Sequence, residues 1–470
     1  MPPLPSNAPL HNSHFNLDAS GVAGFFGGDE AISAMATVHL YRGRRWLGWY
    51  NSPGSYTVAK RYGQLAKSRF WDGVFPGVNE EPATTFGLDG KEGPKYIASY
   101  SGTVIERTGH IAYLLDNQTK EVEKVKVESR ESSGTPMSVT VVRLENIAFA
   151  DQLDVPMMSA DHALFACIPI IISVSACVAC ATVDDWYSFA MILLGIIANG
   201  LSCFVIGSAK LVLKMPRPAE GVPPGDGILL KGNSIVVLKG AEKDVNAITK
   251  GHFVLKMKGG PEYRAVGLCS VLLVAQFVLQ LLLIPQATLF GQVMFVSSLA
   301  ASWIYTLFLS SLEKEKLQAE RLHATLERPV MKKFRLGSRT AGAVFAALVL
   351  SERTPNSPHS PDSRKILDSI LSNDTPMWRE WKSKVLRELG IAGVKKFDSP
   401  GCDSSVEEGD RPLLRTLLHD AQQAYDGYRK FCSPIAKRSR VLGTAQSPVN
   451  LNSSGGGDVD LQHVQQSLQA

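Results

Sequence analysis

The chain has 470 residues, of which 49 are Lys or Arg and 44 are Asp or Glu, and its net charge of +5 matters through its distribution rather than its total. The first twenty residues, MPPLPSNAPLHNSHFNLDAS, lack the basic start and apolar run of a secretory signal. Five of the seven cysteines (Cys167, Cys177, Cys180, Cys203, Cys269) fall in apolar stretches and only Cys402 and Cys432 in polar ones, so the sequence does not read as a disulfide framework.

Residues 1–95 form a Gly-, Pro- and aromatic-rich region, partly irregular, with WLGWYNSPGSY and SRFWDGVFPG as aromatic islands. YRGRRWLGWY gathers Arg42, Arg44 and Arg45, too few for nucleic acid and better suited to the membrane surface or to packing. GVAGFFGG (21–28) has the wrong spacing for a dinucleotide fingerprint. Residues 96–160 read as a small β-rich cytosolic region. SGTVIER, HIAYLLDNQTKEVEKVKVES and SVTVVRLENIAF predict antiparallel strands with a turn at Asp116–Asn117, and the lone His110 reads as structural.

A spanning helix needs about 20 predominantly apolar residues. Four stretches qualify, about 162–183, 186–212, 265–284 and 287–311, forming two hairpins (161–213 and 265–312) that turn at Asp184–Asp185 and Pro285–Gln286. The acidic pair predicts a solvated turn, followed by Trp186 and Tyr187 at an interfacial belt. Neither turn carries Lys or Arg, whereas ten lie between Lys210 and Arg264 and eight between Lys314 and Arg339. The positive-inside rule therefore predicts both termini and the middle segment in the cytosol, and predicts that the sequons at Asn117, Asn373 and Asn452 stay unglycosylated.

Cys177-Val-Ala-Cys180 has the spacing of a redox or zinc motif, but its flanks are uncharged. With Ser173 and Ala176 it makes a stripe of small residues suited to helix packing, so no metal is assigned. No Asp, Glu, Lys or Arg lies within the interior of a predicted span, which argues against a proton relay or voltage sensor. Asn199, Gln276 and Gln280 remain, and they read as interhelical hydrogen-bonding residues before they read as the lining of a pathway.

Between the hairpins (214–264), GDGILLKGNSIVVLKGAEKDVNAITKGHFVLKMKGG predicts strand, Lys-Gly-Asn turn, strand, short helix near 241–249 and strand. It is too small to bury a core alone and is expected to dock on the N-terminal sheet or the membrane surface. GDGILLKGNSIVVLKG followed by DVNAITKGHF resembles a segment between membrane spans in uncharacterised fungal multi-pass membrane proteins, loosely over about 140–312. The resemblance implies a membrane architecture and no particular activity.

Residues 313–350 predict a cytosolic helix and a basic flank, with Lys332, Lys333, Arg335 and Arg339 as candidate contacts for anionic lipid headgroups. AGAVFAALVL (341–350) is too short to span. Residues 351–470 combine a Ser/Pro linker offering Thr354, Ser357 and Ser360 as candidate phosphosites, amphipathic helices near 362–390 and 411–430, and a polar, disordered end.

These features predict an α-helical integral membrane protein with four transmembrane helices in two hairpins, small cytosolic β-rich (α+β) parts and a partly disordered C-terminal tail. No nucleophile elbow, HExxH or P-loop occurs, so neither enzymatic activity nor a cofactor is assigned. The functional expectation is a membrane-anchored scaffold or accessory protein that binds the bilayer and unidentified protein partners. The alternative is a subunit of an oligomeric channel or transporter, a homo-oligomer lined by Asn199, Gln276 and Gln280.

Overall fold

The computed structural model describes residues 26–431, apart from 67–68, 77–80, 129–134, 146, 148–151, 159–162, 258–263, 353–359, 392 and 398–406. Thr354, Ser357, Cys402, Cys432 and the polar end thus lie outside the described residues. The described residues begin with short helices, α1 (Gly28–Met35), α2 (Thr37–Leu40), α3 (Ser55–Leu65), α4 (Arg69–Val74) and α5 (Pro82–Thr85). Then come β1 (Lys95–Ala98), β2 (Val104–Ile105), α6 (His110–Glu121), β3 (Lys124–Lys126), β4 (Met137–Arg143) and β5 (Gln152–Asp154). α6 corrects the strand expected around an Asp116–Asn117 turn. Ile111, Ala112, Leu114 and Leu115 recur at helical spacing and are all buried, so a period of 3.6 rather than 2 governs this stretch.

α7 (Ala163–Thr182) and α8 (Trp186–Ile206) form the first apolar hairpin. β6 (Lys210–Lys214), β7 (Gly227–Lys231), β8 (Ser234–Lys239), α9 (Glu242–Thr249) and β9 (His252–Lys256) lead to the second, α10 (Arg264–Leu283) and α11 (Leu289–Ser311). All four helices are long and apolar enough to cross a membrane. α8 ends at Ile206, short of the expected 212, because Lys210–Lys214 is a strand, exposed at its two lysines and buried between them, that pairs with both β5 and β9. α12 (Lys314–Thr325), β10 (Val330–Leu336), α13 (Arg339–Ser351), α14 (Ser363–Ile370), α15 (Pro376–Gly390) and α16 (Arg411–Phe431) complete the order.

The strands form a seven-stranded mixed sheet, β2-β1-β7-β8-β4-β10-β3, and a three-stranded antiparallel sheet, β5-β6-β9. The larger sheet takes strands from before the first hairpin, between the hairpins and after the second. Those three stretches therefore lie on one side of the bundle, and both tight turns lie at its far end. Its two faces alternate with period 2. Ile97, Val139, Ile235, Val237, Phe334 and Leu336 face α13 to α16, while Tyr96, Leu229, Val236 and Leu238 belong to the core containing α6 and α9. α13 is buried on all sides between sheet and outer helices, as an all-apolar helix too short for a bilayer must be. Asp420 of α16 accepts from Ser338 and Thr340 (2.8 and 3.0 Å) at the α13 N-terminus, where the helix dipole favours a carboxylate.

The far-end turns are joined by one side chain. Asp185 was expected to be solvated, but it is 2% exposed and caps α8 by accepting from Ser188 N at 3.1 Å. Its other oxygen accepts from Thr288 N (2.9 Å) and Thr288 Oγ1 (2.5 Å), and Thr288 in turn caps α11. One carboxylate thus satisfies the N-termini of two neighbouring helices. Asp185→Ala should cost about 1–3 kcal/mol, and Asp185→Asn less; thermal unfolding in detergent measures this, and an unchanged midpoint would mean the turns are held by other contacts.

Candidate functional site

The bundle encloses the chain's own N-terminal segment. α8 carries two glycines, Gly195 and Gly200, and is capped by a third, Gly207, and residues 45–51 lie against them. A Cβ on Gly207 would stand 2.4 Å from Arg45 Cβ, on Gly200 2.3 Å from the Trp49 ring, and on Gly195 2.0 Å from Asn51 Oδ1. The chain thus enters beside the end of α8 and climbs toward the middle of that helix. It turns at Pro53–Gly54, where a Cβ on Gly54 would stand 2.4 Å from Gly28 Cα, so the starts of α1 and α3 abut inside the bundle. α3 then returns along α10, with Tyr56 against Phe277 (5.3 Å between ring centroids) and Ser270 Oγ donating to Ala59 O at 2.7 Å. α1 returns along α11, where Ala34 packs with Tyr305 and Leu309.

Asn51 is the centre of this arrangement. Fully buried, it donates from its backbone N to Ser173 Oγ of α7 (3.1 Å) and from Nδ2 to Ser298 Oγ of α11 (2.9 Å). The Cβ position of Gly195 that lies beside its Oδ1 is also 3.4 Å from Gln276 Nε2, so Asn51 meets α7, α8 and α11 beside α10. Among the described residues neither Asn51 Oδ1 nor either amide atom of Gln276 has a hydrogen-bond partner, and Gln276 is 1% exposed. Asn199 donates Nδ2 to Gly48 O at 2.7 Å, and Gln280 donates Nε2 to Met191 O at 3.4 Å. Two of the three intramembrane amides singled out from sequence are therefore committed to backbone, and Gln276 alone is uncommitted.

Ser173, Ala176, Cys177 and Cys180 are all buried. The thiol of Cys177 donates to Phe189 O at 3.7 Å, and both cysteines pack with Ile192 and Phe295. Among the described residues, no group of three His, Cys, Asp or Glu is placed to hold a metal ion.

The basic flank is placed differently from the sequence expectation. Lys332, Lys333 and Arg335 lie on β10, between β4 and β3 in the large sheet, and α12 separates them from α11 by up to about 18 Å of helix. Lys333 is buried and donates Nζ to Thr119 O at 2.7 Å, satisfying the carbonyl end of α6. It is thereby excluded from lipid contact. Lys332 and Arg335 are exposed on the domain, and Arg339 donates Nε to Ile370 O at 3.0 Å. Ser360 is exposed, just before α14.

Sequence reading missed Asn51, Tyr50 and Arg44 as interior residues. The available signal was Asn-Ser-Pro-Gly within an aromatic run, together with Gly195, Gly200 and Gly207 on one span. No family model, curated protein or solved structure matches this chain.

At the domain-side end of α8, α2 lies beside Ala209. His39 is buried against Phe86, its Nδ1 lies 3.3 Å from Ala209 O, and burial pushes its pKa down to about 4 from 6.5. The ring is therefore neutral in the fold and binds a proton near pH 6.5 once exposed. Its contribution is intact above pH 6.5 and is lost as pH falls toward 4, by up to about 3 kcal/mol. Unfolding midpoints should drop between pH 7.5 and 5, and His39→Gln should flatten that slope; equal slopes would assign the acid sensitivity to other groups.

Proposed function

We propose that this protein is a multi-pass membrane-anchored scaffold or accessory protein, with four spanning helices and its mixed-sheet domain in the cytosol. The observation that carries this reading is the filled bundle: residues 47–54 occupy the interior, and Asn199 and Gln280 hold backbone there. A single chain so packed serves as an anchor, and its working surface lies outside the bundle. The orientation rests on the basic residues of the domain side, set against far-end turns without Lys or Arg.

The domain offers a place for a partner. A cavity of about 950 Å³ is lined by Leu348, Leu386, Leu389, Tyr425 and Lys395, with Ser360 at its rim. Its apolar and aromatic walls, with Lys395 and Arg429 set against Glu352 and Asp362 in the same lining, suit an apolar peptide segment. Phosphorylation of Ser360, which precedes Pro361, would add nearly two negative charges at this rim.

The second reading, a subunit of an oligomeric channel or transporter, is favoured by one observation, the unpartnered amide of Gln276 beside Asn51 Oδ1. Flux separates the two. Proteoliposomes of the wild-type chain should pass ions and small polar solutes no faster than protein-free vesicles, and Gln276→Leu should assemble normally and change nothing. Flux that Gln276→Leu abolishes without loss of assembly would favour the channel.

A further inference from the structure

The Arg42–Trp46 turn is wedged between the domain-side ends of the first hairpin. Arg42 N donates to Met158 O at 2.9 Å, five residues before α7 begins, and Tyr41 bridges to Met158. On the other side, Arg45 packs against Gly207 at the end of α8, and the Trp46 ring lies 4.8 Å from that of Phe204. Trp46 is 53% exposed, and the Arg45 guanidinium stands over it at 5.2 Å. An exposed indole beside arginines, level with the end of an apolar span, has the composition of a bilayer interface.

What distinguishes the turn is uncompensated charge. Arg42, Arg44 and Arg45 fall within four residues, and among the described residues none of them has a carboxylate partner. Arg44 is 4% exposed. It donates Nη2 to Tyr50 OH at 3.2 Å and lies 5.4 Å from the Tyr305 ring centroid, but Nε and Nη1 have no acceptor among the described residues. A guanidinium buried without a counter-charge costs several kcal/mol unless an anion lies nearby. Gly43, between Arg42 and Arg44, has φ +83° and nothing within 4 Å of its would-be Cβ, so the turn is open to a ligand on its outer side. Arginine is the side chain best matched to phosphate oxygens.

We propose that Arg42, Arg44 and Arg45 form a binding site for the phosphate of an anionic phospholipid in the domain-side leaflet. Arg42 and Arg45 contact the headgroup, Arg44 supplies the field from behind, and Trp46 seats beside the acyl chains. This site, rather than the β10 lysines, is where the chain reads lipid charge.

The test uses the full-length protein in neutral detergent, with thermal unfolding and native mass spectrometry as readouts. Dioctanoyl phosphatidylglycerol should raise the unfolding midpoint and remain bound, whereas dioctanoyl phosphatidylcholine and inorganic phosphate at equal ionic strength should do neither. Arg42→Gln with Arg45→Gln should lower the apparent affinity for phosphatidylglycerol about tenfold or more, while Lys210→Gln with Lys256→Gln, which removes equal charge from the small sheet, should leave it unchanged. If the double arginine variant fails to fold, Arg42→Gln alone carries the test, since the bond that Arg42 makes to Met158 is through its backbone N. A phosphate effect equal to that of the lipid would make this a free-anion site and overturn the proposal. Retained affinity in the arginine variant, or equal loss in the lysine variant, would overturn it as well.

Discussion

Non-helical backbone inside an apolar bundle has no water to bond to, and every unsatisfied peptide group there costs several kcal/mol. Residues 47–54 are non-helical and lie against the middle stretches of three apolar helices. They persist because side chains of the bundle supply the missing partners: Ser173 accepts from Asn51 N, Asn199 donates to Gly48 O, and Ser298 accepts from the Asn51 amide. The same constraint explains why Ser173, Asn199 and Ser298 occur in these helices, and why glycines line the face of α8 that the segment approaches. The bundle's sequence is adapted to hold a piece of its own chain.

That insertion couples the bundle to the domain. The segment leaves the bundle through α3 and α4, and the chain then enters β1 of the large sheet, whose later strands come from between and beyond the hairpins. α12 continues from α11 and packs beside α6, where Gln318 bonds Leu88 O (2.7 Å) and lies 3.3 Å from His110 Nε2. Glu315, one turn earlier, accepts from Tyr113 OH at 2.8 Å and pairs with Lys91. The sheet therefore closes only when both hairpins are in place. Such long-range pairing is slow to form and places the assembly of the domain late in folding.

Legibility in the sequence followed the range of the interactions involved. The four apolar helices were readable because length and hydropathy are local. The order strand, turn, strand, helix, strand over 227–256 was readable because Lys231-Gly232-Asn233 marks the turn. α6 was misread because its apolar residues satisfy both periods over a few positions, and only its buried face decides. β6 was absorbed into a span because Leu-Val-Leu is apolar in either conformation. Lys333 looked like a membrane flank until β10 paired on both sides and turned it toward the end of α6. The inserted segment was not legible, since its partners lie 122 to 247 residues away.

The central claim is that Asn51 sits inside the bundle between α7 and α11. Paired cysteines at positions 51 and 298, in a chain otherwise free of cysteine, test it most directly in native membranes. An intramolecular disulfide that forms under mild oxidation, with position 51 unreactive toward a membrane-impermeant maleimide, is the predicted result. A freely labelled position 51 with no cross-link to 298 would contradict the account.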